Sequence, residues 1–263
     1  MPSELAATAL VGLQVLITRP QAQGAALCEE ISQAGGRPIH IPVIEIAPPA
    51  NLEPAIELIE HLEEFDLAVF ISSNAVSHAH RLVSSLRGWP EHMRLAVIGK
   101  HSAEALRQCG LYADICPVHG FNSESLLAIA EMQQVEGKKI IIFRGVGGRE
   151  LLADTLRPRG ASVTYAEVYR RIIPESSRGL LNRVVANDNI DIIVVTSNEG
   201  LQNLYDMVYA ENRSKLLQKV LVLISHRGAL LAAKLGFAAA PVIAPAASDG
   251  GLMTAIKAWY AVK

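Results

Sequence analysis

The sequence predicts an α/β protein built as two flavodoxin-like, parallel-sheet domains that arose by internal duplication, and three observations carry that reading. Short apolar, β-branched runs alternate with helical stretches of about 10 to 14 residues along the whole chain. The runs are apolar at consecutive positions, as in parallel sheets covered by helices on both faces. The same order of elements occurs twice, and its second start lies almost at mid-chain.

In the first half the strand-like runs are Leu13 to Thr18, Pro38 to Val43, Leu67 to Ile71, Arg94 to Ile98 and Ala113 to Cys116. In the second they are Lys138 to Phe143, Ser162 to Tyr165, Ile190 to Thr196, Lys219 to Ile224 and Ala240 to Ile243. Five strands per half suit a flavodoxin-like unit. The halves match at a constant shift of 125 positions, through Gly12/Gly137, Arg19/Arg144, Gly35/Gly160, Pro49/Pro174, Asp66/Asp191, Ser72/Ser197, His101/His226 and Ser123/Ser248. Their placement at equivalent strand ends and turns implies the duplication. Two extended segments correspond as well, Pro42 to Pro49 and Glu167 to Pro174, and each ends in a proline that biases it away from helix. Either they are loops inside two consecutive domains, or both cross between domains that each draw on both halves.

The 263 residues are 50% hydrophobic, enough for one large core or two ordinary ones. With 24 Lys and Arg against 26 Asp and Glu, the net charge of −2 gives no overall field to recruit nucleic acid or an anionic membrane. Any anionic ligand must be met locally. The start, MPSELAATALVG, has no basic residue before its apolar run, which argues against a signal peptide. Gly228 to Ala247 is broken by Lys234, Gly236, Pro241 and Pro245, too often for a membrane span. Cys28, Cys109 and Cys116 form an odd set without a CxxC pair, so reduced thiols and a cytoplasmic location are expected.

The stretch Gly137 to Leu152, GKKIIIFRGVGGRELL, joins a strand to a helix through Arg144, Gly145, Gly147, Gly148 and Arg149. Small residues there let an anion approach backbone N–H groups and a helix end, with two guanidinium groups beside them. A tight turn that uses glycine for positive φ explains the same residues. Gly145, Gly147 and an acid at Glu167 invite a dinucleotide reading, which Glu150 opposes by standing at the third glycine position; no GK[ST] follows. Ser72, Ser73 and Asn74 follow one strand, and Thr196, Ser197 and Asn198 another, either as ligand contacts at strand carboxyl ends or as helix N-caps. Arg19 and the Ser225-His226-Arg227 run end two more strands. Eight His residues include no HExxH, so no metal is expected, and no GxSxG elbow is present. Tyr169 stands in the extended EVYRR run, as a phenol that reaches a cleft or as a half-buried hinge aromatic.

Taken together, ITRP, DLAVFISSNAV, AVIGKHSAEAL, FRGVGGRELLADTLRPRGA, EVYRR and DIIVVTSNEGL resemble the uroporphyrinogen-III synthase family of the haem pathway, in order over essentially the whole chain. The resemblance implies two α/β domains, 1–43 with 174–263 and 44–173 with the linker strands, joined by a two-stranded β-ladder. It implies a monomeric lyase that takes hydroxymethylbilane, a linear tetrapyrrole with eight carboxylates, by transient hand-over from hydroxymethylbilane synthase. Ring D is inverted through a spiro intermediate and the macrocycle closes with loss of water, without metal or cofactor. Tyr169 matches the family's tyrosine and would assist departure of the hydroxyl. Arg19, Ser72, Ser73, Asn74, Ser102, Arg144, Gly145, Gly147, Gly148, Arg149, Thr196, Ser197, Asn198, Ser225 and Arg227 would hold the carboxylates. One departure is plain: the family's Gly-x-x-Thr/Ser-Ala turn is kept at Gly99 to Ala103 but reads Ile224-Ser225-His226-Arg227-Gly228 in the second half, so Ser225 or Arg227 must substitute for a hydroxyl. The rival is a non-enzymatic two-domain binding or sensory module for a small anion.

Overall fold

A computed structural model describes residues 9–263; positions 1–8, on which the leader reading depends, lie outside them. The strands are β1 Gln14–Ile17, β2 Arg37–His40, β3 Glu45–Ala47, β4 Leu67–Phe70, β5 Arg94–Val97, β6 Lys139–Gly145, β7 Ser162–Ile172, β8 Ile192–Val195, β9 Val220–Leu223 and β10 Val242–Ile243. The chain divides into two compact units, one taking residues up to Glu45 together with Ile172–Lys263, the other Ile46–Arg171. Among the described residues no helix is long and apolar enough to cross a membrane.

The first unit holds the sheet β10-β9-β8-β1-β2, whose neighbouring strands pair in parallel. The β8 sequence IIVV is buried at every position, as a central strand with helices on both faces requires. Val15, Ile17, Ile192, Val194 and Val222 face a cluster completed by Leu27 and Ile31 of the helix Gln21–Gln33 and by Leu252 and Ile256 of the helix Asp249–Tyr260.

The second unit holds the sheet β3-β7-β6-β4-β5. The pleat of β4 divides its four apolar residues between two cores: Ala68 and Phe70 join Ile141 and Phe143 on one face, while Leu67 and Val69 join Ile140 and Ile142 on the other. The first face is covered by the helix Ser73–Leu86, whose Ala75, Val76, Ala79 and Val83 form one buried stripe.

Several sequence expectations change. Ala113 to Cys116 is no strand: Ile115 alone bridges to Ala96, because the Asp114 carboxylate accepts from the Leu95 N–H at 2.7 Å and Pro117 has no N–H to continue a ladder. The run Ser162 to Tyr165 continues to Ile172, because the extended segment after it, which the residues alone left open between loop and crossing, is strand and takes β3 as its neighbour at the sheet edge. In the other extended segment only three residues pair, since Pro42 before them and Pro48 and Pro49 after them supply no donors. The helix after the glycine-rich turn is six residues, Leu151–Leu156, shorter than the expected helical stretches, because Pro158 cannot return an N–H to Asp154. Other strand ends move by one or two positions.

Matched places in the two halves are 125 apart up to Ser72 and Ser197, both helix N-caps. Asp66 accepts from the Lys139 N–H at 2.9 Å, and Asp191 accepts from the Gln14 N–H at 2.9 Å. Beyond that point the matching caps are Gly99 with Ser225 and Asn122 with Ser248, one residue further apart. His101 and His226 therefore do not occupy equivalent places, the first being the second residue of its helix and the other the first.

Candidate active site

In the second unit the functional side chains gather at the carboxyl ends of β4, β6 and β7. Tyr169 is 3% exposed, and its hydroxyl lies 3.1 Å from Ser72 Oγ. Ser72 Oγ also accepts from the Ala75 N–H at 3.0 Å and so caps a 14-residue helix. The phenol thus stands beside the positive end of that helix. Gly145 is required by close approach: a Cβ there would come within 2.7 Å of the Tyr169 ring. The His78 ring lies 5.7 Å from the Tyr169 ring, tilted by 38°. Burial, and then the neighbouring Arg81, hold the His78 imidazole below its ordinary protonation range. Tyr169 shares its core cluster with the stacked Phe70 and Phe143 rings, 5.2 Å apart, both of which meet Trp89 edge-on.

The glycine-rich turn is occupied from within. Gly147 and Gly148 take φ values of 74° and 112°, which only glycine adopts without strain. The Gly147 N–H donates to the Glu167 carboxylate at 3.1 Å, so the acid considered for a ribose hydroxyl binds the turn itself. Arg144, expected to face a ligand, is 4% exposed. It pairs with Glu150 at 2.8 Å and Glu167 at 3.6 Å, and its guanidinium sits 4.2 Å over the Tyr165 ring. Its hydrogen bond, chiefly, holds the Glu150 carboxyl below the usual range, while burial and Glu150 push the Tyr165 phenol up. Glu150 thus anchors Arg144. Arg149 is exposed and meets Glu124 at 3.5 Å. The helix that follows is too short to serve as an anion site, so the helix-end part of that reading falls.

Ser73 and Asn74 open the capped helix and are half-buried, whereas Ser102 is buried in the first turn of the helix Lys100–Gln108. Beside that helix Phe121 takes a positive φ of 43° and packs on Gly99, with Lys100 Nζ 5.0 Å from its ring centroid.

In the first unit Ser197, Ser225 and Ser248 cap the helices after β8, β9 and β10, accepting from the N–H groups of Gly200, Gly228 and Gly251. Arg19 pairs with Asp249, the first residue of the third helix. The His40 ring donates to the Arg19 carbonyl at 3.0 Å. Thr196 and Asn198 flank Ser197 and are half-buried. Arg227 is exposed on the first turn of its helix and makes no ion pair among the described residues. The serine triplets are therefore caps first, which leaves their second hydrogen-bonding capacity for a ligand. Among the described residues no group of three His, Cys, Asp or Glu side chains could hold a metal ion.

Sequence reasoning missed Glu167 as a turn ligand, Glu150 as a partner of Arg144, and His78 beside Tyr169. Glu167 was visible as an acid two residues before Tyr169; its partner depends on the strand register, which pattern does not give.

The family model for uroporphyrinogen-III synthase HemD matches residues 25–254. The chain is 35% identical over 228 residues to the uroporphyrinogen-III synthase of Escherichia coli K12, covering 86% of this chain and 92% of that one. It is 38% identical over 161 residues to that of Proteus mirabilis, covering 61% and 81%. Its fold is similar to the crystal structure of a mutant uroporphyrinogen III synthase from Thermus thermophilus, with a TM-score of 0.63 at 15% identity over 96% of this chain and all of that one. The Helicobacter pylori uroporphyrinogen-III synthetase structure follows at a TM-score of 0.59, 15% identity, 94% and 99%.

Proposed function

The chain belongs to the uroporphyrinogen-III synthase family, and from that premise we propose that it closes linear hydroxymethylbilane into uroporphyrinogen III as a cofactor-independent lyase, with inversion of ring D through a spiro intermediate and loss of water. The observation that carries the reading is the Tyr169 hydroxyl held on Ser72 Oγ at the N-terminus of a long helix. Ser72 Oγ already accepts the Ala75 N–H, so its own proton is free to be donated to the phenol oxygen. The Tyr169 proton is then available to the departing hydroxyl, which leaves as water. Charge that develops on the phenol oxygen is met by the Ser72 proton and the helix end.

The rest of the task is geometric. The bilane closes unaided without inversion, so the protein must hold rings A to C and present the substituted carbon of ring D. The groups we assign to the eight carboxylates are the half-buried hydroxyls and amides at Ser73, Asn74, Thr196 and Asn198, the Gly148 amide and the exposed Arg149 and Arg227. Ser72, Ser197 and Ser225 have a cap to keep as well, and Ser102, Arg19 and Arg144 serve from behind. Gly145 makes room for Tyr169. The corresponding four-strand orders β2-β1-β8-β9 and β7-β6-β4-β5, with the matched positions, support a duplicated, flavodoxin-like ancestry. The discontinuous division of the chain supports domains of 1–43 with 174–263 and 44–173. We take the protein to act as a monomer that receives its substrate directly from hydroxymethylbilane synthase.

The test is isomer analysis. Purified protein given enzymatically produced hydroxymethylbilane is expected to yield the type III macrocycle. Formation of type I alone, at the unaided rate, would refute the assignment.

A further inference from the structure

A catalytic Tyr169 must be held still, and its neighbours show how. β6 and β7 pair in register up to Arg144 opposite Glu167, and the next partners are Gly145 and Tyr169. β7 thus carries one extra residue, Val168, across a bulge. Bulges beside active sites re-aim the side chains that follow them. At the break the Glu167 carboxylate accepts from the Gly147 N–H at 3.1 Å and stands 3.6 Å from Arg144 Nε. Arg144 in turn donates to the Gly145 carbonyl at 3.3 Å, and Val146 N–H donates to the Tyr169 carbonyl at 2.7 Å. Apart from the Arg144 bond within β6, these contacts tie β6 and its turn to the two residues of β7 that flank Val168.

Resting on the reading of Tyr169 as proton donor, we propose that Glu167 is a positioning residue for this reaction: its carboxylate binds the Gly147 amide and Arg144 together, which fixes the bulge and keeps the phenol on Ser72 Oγ. Glu167 acts through Tyr169 and donates nothing to the substrate. The Gly147 amide is accordingly a structural donor, and the turn's offering to a substrate carboxylate begins at Gly148. Glu167→Gln keeps an oxygen for the Gly147 N–H but removes one of the two carboxylates on Arg144, the one on the β7 side of the bulge, so the phenol moves while the fold survives.

The experiment is a double-mutant cycle on the full chain, with kcat, KM and thermal unfolding measured for the wild type, Glu167→Gln, Tyr169→Phe and both together. Glu167→Gln is expected to lower kcat about tenfold with KM nearly unchanged, well inside the ~10²-fold that a misplacement of about 1 Å can cost. The double variant is expected to be no slower than Tyr169→Phe alone. Multiplying effects, or wild-type kcat in Glu167→Gln, would overturn the inference and leave the role of Tyr169 standing. Wild-type kcat in Tyr169→Phe would remove the catalytic reading itself, and this inference with it. Should Glu167→Gln not fold, Glu167→Asp, which withdraws the carboxylate from Gly147 by one methylene, is subject to the same comparison.

Discussion

At the scale of single residues, the site depends on one oxygen contact and one missing methyl. Tyr169→Phe removes the proton and keeps the ring on Gly145, so kcat is expected to fall about 10²-fold, the low end of general-acid contributions, with an unchanged unfolding temperature. Comparison of turnover and thermal melts checks both halves of that statement. Gly145→Ala does the reverse: its Cβ meets the Tyr169 ring at 2.7 Å, so the fold is expected to lose about 1–3 kcal/mol, seen in urea unfolding, and kcat to fall with it. The sequence made Tyr169 and the glycines visible as types at a strand end. It left the role of each glycine open, because Gly145 yields to a ring whose place is set by the register of another strand, while Gly147 and Gly148 supply positive φ. Arg144 misled for a related reason. A cation beside glycines resembles an anion site, yet its partners Glu150 and Glu167 both lie further along the chain, and only the fold brings both onto one guanidinium.

At the scale of elements, strands and caps were the legible part, since four consecutive buried apolar residues leave a central parallel strand few alternatives. The serines after β4 and β8 read as caps or ligands, and the structure gives Ser72 and Ser197 a cap bond each. Ser197→Ala removes that bond in the first unit and is expected to cost about 1 kcal/mol in denaturant unfolding. Strand starts carry their own acid dependence. Burial works to raise the Asp191 carboxyl, but the Lys263 ammonium and the Gln14 N–H outweigh it and hold it below its ordinary value. Asp66 is lowered too, chiefly by the Lys139 N–H. A carboxyl lowered in the folded state binds fewer protons there than in the unfolded chain. Its stabilisation is complete above the unfolded value of about 4 and disappears as pH falls through the folded one. Stability is therefore expected to drop below about pH 4, and Asp191→Asn to flatten that drop, measured as unfolding midpoints across the acid range.

For the whole molecule, the decisive fact is which strands become neighbours. β1 pairs with β8 and β4 with β6, so each sheet is centred on one strand from the first half of the chain and one from the second. The sequence showed the halves but allowed two ways of assembling them, because loops and crossings carry the same prolines. Cutting between residues 136 and 137 separates both central pairs. Neither half expressed alone is expected to melt cooperatively, which calorimetry of the purified fragments checks. The pairing of β1 with β8 also imposes a timetable on synthesis. The second unit is complete once Arg171 has left the ribosome, while β1 and β2, translated first, wait for β8, β9 and β10. At about 5–20 residues per second, the stretch between His40 and Ile192 takes on the order of 10–30 s to emerge. Through that interval β1 and β2 keep a bare sheet edge, unpaired surface of the kind that invites association before the sheet is completed.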